Sequence, residues 1–251
     1  MTLIALGLLS IVLYSRLSAQ EPGFNEVYRG ADGKVFSRKP NAFLADMIRG
    51  RTPGTALDVG MGQGRNAIFL AEQGWQVTGF DISDQGVKQA RAEANRLHLK
   101  LNAVVASWDN FDFGDDRWDL VVLMYVAPDK NLAAKVIRAL RPGGAVIIED
   151  RHLDSLRVWP EGTYRDNELI SLFPGLRVLR YEDAWAKPDW QARQLDERLV
   201  RLFAQKPPPP QSGCLWEGRQ VSEGKTVCWD DVVKFYCGRE GWIFTHQTCS
   251  R

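Results

Sequence analysis

The sequence predicts an α/β fold: a seven-stranded, mostly parallel sheet with one antiparallel edge hairpin, followed by a small cysteine-rich module. Residues 55–83, TALDVGMGQGRNAIFLAEQGWQVTGFDIS, read as a strand, a glycine-rich turn, a helix and a second strand. Apolar runs of strand length then alternate with helical spacings as far as Lys206, the pattern of a sheet built from strand–helix–strand units. All four cysteines lie beyond a run of prolines, Pro207 to Pro210, at Cys214, Cys228, Cys237 and Cys249.

In chain order, the first feature is an apolar leader, Thr2 to Tyr14, followed by Ser15, Arg16 and Leu17-Ser18-Ala19-Gln20. An apolar core of this kind ahead of small residues predicts a secretory signal, with cleavage near Ala19 or Gln20. It is short for a spanning helix of about twenty residues. No Lys or Arg precedes it, while Arg16, Arg29, Lys34, Arg38 and Lys39 follow, a bias that would hold the next domain on the cytoplasmic face. Export to an oxidising compartment and anchoring to a membrane are the two expectations, with the cytoplasmic face of a membrane as the alternative.

Phe24, Val27 and Tyr28 form a partly apolar stretch before a turn at 30–33, and Asn41 is placed to cap a helix over Ala42–Ile48. The first strand, Ala56–Val59, leads through Gly60, Gly62 and Gly64 into a helix carrying Ala67, Ile68, Leu70 and Ala71. The second strand, Gln76–Phe80, ends in Asp81. Ser83 caps a helix from about Asp84 to His98, with Val87, Ala90, Ala94 and Leu97 on one face. Leu101–Ala106 is the third strand. Trp118–Met124 is the fourth, its near-continuous apolar run fitting burial on both faces. Pro128 opens a helix to about Leu140, and Arg141-Pro142-Gly143-Gly144 turns into the fifth strand, Ala145–Glu149. Tyr164–Phe173 reads as a helix. Leu176–Tyr181 and Leu199–Ala204 read as an antiparallel pair in which the last strand inserts beside the fifth.

The glycine turn points to a nucleotide-like ligand at the carboxyl ends of the strands. A dinucleotide fingerprint would read G-x-G-x-x-G with pyrophosphate on the helix N-terminus. Here the spacing is G-x-G-x-G, Arg65 stands where the third fingerprint glycine belongs, and Asp58 precedes Gly60 by two positions. A carboxylate there repels a pyrophosphate and suits a cation. Asp81, closing the second strand, can accept both hydroxyls of a ribose. S-adenosylmethionine has an ammonium group, a sulfonium centre, a ribose and no phosphate.

At these residues the sequence resembles the class I S-adenosylmethionine-dependent methyltransferases, whose first motif is D-x-G-x-G-x-G and whose second strand ends in an acid. The R-P-G-G turn before the fifth strand is a further similarity, and the resemblance covers about Phe24 to Lys206. It implies a Rossmann-like sheet, S-adenosylmethionine as cofactor, and a site built from Asp58, Gly60, Gly62, Gly64, Asp81, Ile82 and Met124. Family members commonly place an Asp directly after the third strand to meet the adenine; Ser107 occupies that place, so the Ser107 hydroxyl or Asp109 would substitute, with Trp108 placed to stack. Residues 149–183 look most like small-molecule and tellurite-resistance-type members, which implies a small-molecule acceptor. Tyr125, at the end of the fourth strand, and His152, after the fifth, are the candidate catalytic residues, His152 as general base with Glu149 and Asp150 nearby.

At 251 residues the chain can hold one α/β domain and a small appendage. A formal net charge of +1 gives no polyanion-binding signature, so nucleic acid is not an expected partner. No Walker loop, Ser/His/Asp elbow or H-E-x-x-H motif is present, and no metal is expected. The cysteines favour two disulfides over a zinc site, since structural zinc ligands come as C-x₂₋₄-C pairs and no two here are that close. Spacing leaves three pairings open. The prolines predict an extended spacer over 207–212, which divides a methyltransferase-like domain over 21–206 from a disulfide-stabilised module over 213–251. Three functions follow: a methyltransferase, a non-catalytic cofactor-binding scaffold working through the cysteine-rich tail, and a nucleotide-dependent oxidoreductase that Arg65 and Asp58 disfavour.

Overall fold

The computed structural model describes residues 22–29, 36–155, 164–190, 196–208, 214–229, 233–238 and 241–248. The apolar leader lies outside them, as does most of the proline spacer. Among the described residues no helix is long and apolar enough to cross a membrane.

Helix α1 spans Pro22–Arg29 and α2 spans Ala42–Met47, the latter capped by Asn41, whose side chain accepts from the Leu44 amide. Then follow β1 (Thr55–Val59), α3 (Arg65–Glu72), β2 (Gln76–Asp81), α4 (Asp84–Arg96), β3 (Leu101–Val105), β4 (Trp118–Met124), α5 (Lys130–Ala139), β5 (Leu140–Arg151), α6 (Glu168–Ser171), β6 (Arg177–Ala186) and β7 (Glu197–Gln205). They build a seven-stranded sheet in the order β3-β2-β1-β4-β5-β7-β6. The pairs among β3, β2, β1, β4 and β5 are parallel; β7 runs antiparallel between β5 and β6, where the sequence pattern inserts it.

The pleat explains the apolar runs. Along β1 and β4, Leu57, Val59, Val121 and Leu123 enter a core covered by α5, through Leu132, Ala133 and Val136. Ala56, Leu120 and Val122 enter a second core on the opposite face, covered by α2, α3 and α4 through Phe43, Leu44, Ala67, Leu70, Val87 and Ala90. With both faces covered, a central strand has no polar side to show. Asp58 is the exception. It lies on the α3 face with 1% of its surface exposed.

Several boundaries differ from expectation. Helix α5 begins at Lys130, because the Asp129 side chain caps it by accepting from the Leu132 amide, and Pro128 stands outside. β5 starts at Leu140, taking the R-P-G-G turn into the strand as an irregularity of register against β4. β6 runs on to Ala186. The helix expected over Tyr164–Phe173 shrinks to Glu168–Ser171: the Tyr164 amide and carbonyl are committed to Arg151 and Leu153 at the end of β5, and Asn167 takes φ +60.

Beyond the spacer, β8 (Cys214–Trp216) and β9 (Arg219–Val221) form a hairpin, and β10 (Thr226–Trp229), β11 (Val233–Gly238) and β12 (Gly241–Thr248) form a three-stranded antiparallel sheet. A disulfide joins Cys214 to Cys237, tying the hairpin to β11. Trp216 packs its ring 5.7 Å from Phe235 and 5.2 Å from Trp242. So few side chains exclude little water, and the covalent link supplies order that burial does not. A bridge closing a loop of this length contributes about 3 kcal/mol. The double substitution Cys214→Ser, Cys237→Ser is therefore expected to destabilise the C-terminal module by about that amount while leaving the unfolding of the seven-stranded sheet unchanged, read by urea titration with amide exchange.

Candidate active site

The site forms at the carboxyl ends of β1, β2, β4 and β5. Asp58 Oδ2 is buried with no hydrogen-bond partner. Burial lifts its carboxyl to about 7, against the pull of Arg65 and the Ala67 amide. A fully buried carboxylate oxygen without a donor is costly, and a donor that arrived with a ligand would offset that cost.

Asp81, at the tip of the neighbouring strand, is held on both oxygens: Oδ2 accepts from the Gly62 amide at 2.8 Å and Oδ1 from the Ser83 amide at 2.8 Å. Each oxygen keeps a lone-pair direction for a further donor. The same bonds fasten the glycine loop to β2. Gly60 has φ +65 and Gly62 φ +55. A Cβ on Gly60 would meet Val126 at 2.9 Å, and one on Gly62 would meet the Tyr28 hydroxyl. Gly64 serves packing instead: its Cβ would strike Ala90 of α4 at 2.8 Å.

The N-terminal segment lies against this loop. The Tyr28 ring packs beside Gly62 and Gly86, with α1 held by the Ser83 hydroxyl on Asn25 Oδ1 at 2.6 Å and by Gln89 Nε2 on the Tyr28 carbonyl at 2.7 Å. From Tyr28 an aromatic belt runs through Phe36 and Trp190 to Tyr125, with ring centroids 5.4, 5.9 and 6.1 Å apart in turn. Arg65 anchors its roof, donating to Asp189 Oδ1 at 3.0 Å and to the Lys39 carbonyl at 3.2 Å.

Tyr125 and Ala127 both hold left-handed backbone, φ +60 and φ +53, a conformation that costs a non-glycine residue about 1 kcal/mol. Two successive acids of β5 hold them there. Glu149 and Asp150 point to opposite faces of the sheet, as the pleat requires. Glu149 accepts the Tyr125 hydroxyl, while Asp150 Oδ2 accepts the Ala127 amide at 2.7 Å. Glu149 also receives Asn41 Nδ2 at 2.7 Å and Arg201 Nε at 2.6 Å, so it is a fully engaged anchor. Burial raises the Asp150 carboxyl to about 7. Burial and the Glu149 charge together raise the Tyr125 hydroxyl well above its usual value.

The structure thus brings Asp58, Gly60, Gly62, Asp81 and Tyr125 together. Met124 is buried in the core beneath them, and Ile82 is exposed beside Asp81. The loop after β3 adjoins Asp81, whose carbonyl receives the Ala106 amide at 3.0 Å. In that loop Ser107 Oγ accepts from the Asn110 amide, Asp109 is exposed, and Trp108 is half-buried with Lys135 Nζ 5.1 Å from its ring centre. His152 is not with Tyr125. Its Nδ1 accepts the Asp154 amide and its Nε2 meets Asp166 at 3.0 Å. The Arg198 guanidinium bridges Asp154, Asp166 and Asp183 beside it.

Residues 56–144 match a family model described as a methyltransferase domain. With the unpaired Asp58 oxygen, the Asp81 carboxylate and the close-approach glycines, the residues fit the cofactor that this family uses. Over these residues the chain is similar to the class I S-adenosylmethionine-dependent methyltransferases. Its relatives include Hemagglutinin 1 of Eikenella corrodens, 28% identical over 178 residues covering 65% of this chain and 58% of that protein. They also include malonyl-[acyl-carrier protein] O-methyltransferase of Salmonella typhimurium, 28% identical over 103 residues and 41% of each chain. The chain therefore spans 58% and 41% of the length of these two relatives. Among solved structures, the N-methyltransferase NodS from Bradyrhizobium japonicum WM9, in complex with S-adenosyl-L-homocysteine, shares the fold with a TM-score of 0.55, 15% identity, and coverage of 65% of this chain and 84% of that one.

The raised Asp58 and Asp150 carboxyls have a thermodynamic signature. Between the usual carboxylate value of 3.8 and about 7, the folded chain holds protons that the unfolded chain has released. Stability from these two groups therefore falls as pH rises through that window. The cofactor-free protein is expected to melt at a higher temperature at pH 5.5 than at pH 8, with Asp58→Asn flattening the difference, measured by calorimetry.

Proposed function

We propose that the protein transfers a methyl group from S-adenosylmethionine to a small-molecule acceptor. The observation that carries this reading is the buried, unpartnered Oδ2 of Asp58 beside a glycine loop that Asp81 holds in place. A primary ammonium satisfies that oxygen with charge as well as hydrogen bonding. Ribose hydroxyls satisfy the remaining lone pairs of Asp81. A pyrophosphate would face two carboxylates, which argues against a dinucleotide.

The cofactor supplies an already activated methyl group on a positively charged sulfur. What this chain contributes is alignment and exclusion of water. Val126 and Tyr28 close on the two flanks of the glycine loop, and the Tyr125–Ala127 turn is pinned on both faces of the sheet. His152, as general base, is supported only by its position just after β5, since its ring is engaged by Asp154 and Asp166 on the far side from Tyr125. Transfer would therefore favour an acceptor that presents a lone pair without first losing a proton. The paired cysteines fit an oxidising compartment, and export or membrane anchoring remains our reading of the leader.

Isothermal titration with S-adenosylhomocysteine, followed by label transfer from S-adenosylmethionine onto thiols, carboxylates and amines, tests the reading. Asp81→Ala is expected to weaken S-adenosylhomocysteine binding by about 1–3 kcal/mol, the range for a lost charge-assisted hydrogen bond. Unchanged affinity would remove Asp81 from the site. Tight binding without transfer to any acceptor would instead mark a cofactor-dependent scaffold.

A further inference from the structure

At the acceptor end of the site the acids are matched and the donors are not. Glu149 is engaged by Tyr125, Asn41 and Arg201; Asp189 by Arg65, the Ala42 amide and Asn41; Glu197 by Arg151 Nε at 2.8 Å. Against these, the Trp190 indole N–H is buried with no hydrogen-bond partner. Arg151 spends only Nε on a described residue, which leaves its two terminal nitrogens without one. The guanidinium lies 5.3 Å from the Tyr125 ring centre and 4.9 Å from that of Trp190, with 13% of the side chain exposed. It thus lies close to both rings and is largely shielded from solvent.

A buried indole N–H without an acceptor carries a desolvation cost that a ligand's oxygen would remove. A guanidinium set close to two rings and fixed through Nε presents its remaining donors as a fork, the geometry that suits carboxylates and other oxyanions. We propose that Arg151 and Trp190 form an anion subsite for the methyl acceptor, which carries a carboxylate or similar oxyanion on a body that lies against the Tyr125 and Trp190 rings. The proposal rests on the methyltransferase reading and adds the charge of the substrate to it. Glu197 pairs with Nε, which leaves the opposite edge of the guanidinium to the ligand.

The probes are benzoate and its neutral amide, benzamide, titrated into the full-length protein saturated with S-adenosylhomocysteine. Benzoate is expected to bind about tenfold or more tightly than benzamide, the preference a charge-assisted fork confers. Trp190→Phe keeps the ring and removes the N–H; Arg151→Lys keeps the charge and removes the fork. Each is expected to weaken benzoate by about five- to tenfold, leaving benzamide and S-adenosylhomocysteine affinity unchanged. Equal binding of the two probes, no binding of benzoate, or benzoate affinity indifferent to both substitutions overturns the subsite. Failure of S-adenosylhomocysteine itself to bind is a separate result, which removes the cofactor reading and the subsite with it.

Discussion

Asp58 and Asp81 stand at the tips of adjacent parallel strands, and the backbone between them has to serve both. Asp81 fixes the glycine loop by accepting the Gly62 amide, and the loop in turn passes close enough to Val126 and Tyr28 that no side chain fits at Gly60 or Gly62. Asp58 lies beneath, buried against α3 and short of one donor. Burying an unpaired acid is a cost that a ligand's donor would offset. The parallel register that pairs Asp58 with Gly79 and Val59 with Phe80 makes the arrangement possible, because it brings both strand ends to the same edge of the sheet.

The opposite half of the site depends on a different device. β5 ends in two acids in succession, and the pleat sends one to each face. Together they hold a loop whose backbone would not otherwise stay left-handed at Tyr125 and Ala127. That loop carries Val126 onto Gly60, so it and the glycine loop are mechanically one piece. Asn41 Nδ2 donates to both Glu149 and Asp189, and so joins the N-terminal segment to the end of β5 and to the β6–β7 connection.

Local pattern made the cofactor half legible. The glycine spacing, Asp58 and Asp81 lie within one strand–helix–strand unit, and the period of the apolar residues placed the strand ends. The Ser83 cap and the antiparallel insertion of β7 were readable for the same reason. The acceptor half was not, because its residues meet only through the tertiary fold: Tyr28, Phe36, Trp190 and Arg151 come from four separated segments. The pleat could have corrected one expectation. His152 shares the parity of Asp150, so it falls on the face opposite Glu149 and the Tyr125 hydroxyl, where Asp166 and Arg198 occupy its surroundings. Boundaries failed where side chains overrode the pattern, as when Asp129 displaced Pro128 at the start of α5.

The account stands or falls on what the free oxygen of Asp58 receives, and carbon-13 NMR of its carboxyl reads that directly. In the cofactor-free protein the resonance should titrate near 7, the value burial imposes. With S-adenosylhomocysteine bound, an ammonium against Oδ2 should hold the carboxyl ionised well below that pH, with protons released on binding at neutrality. A titration midpoint that does not move when the ligand binds would contradict the account.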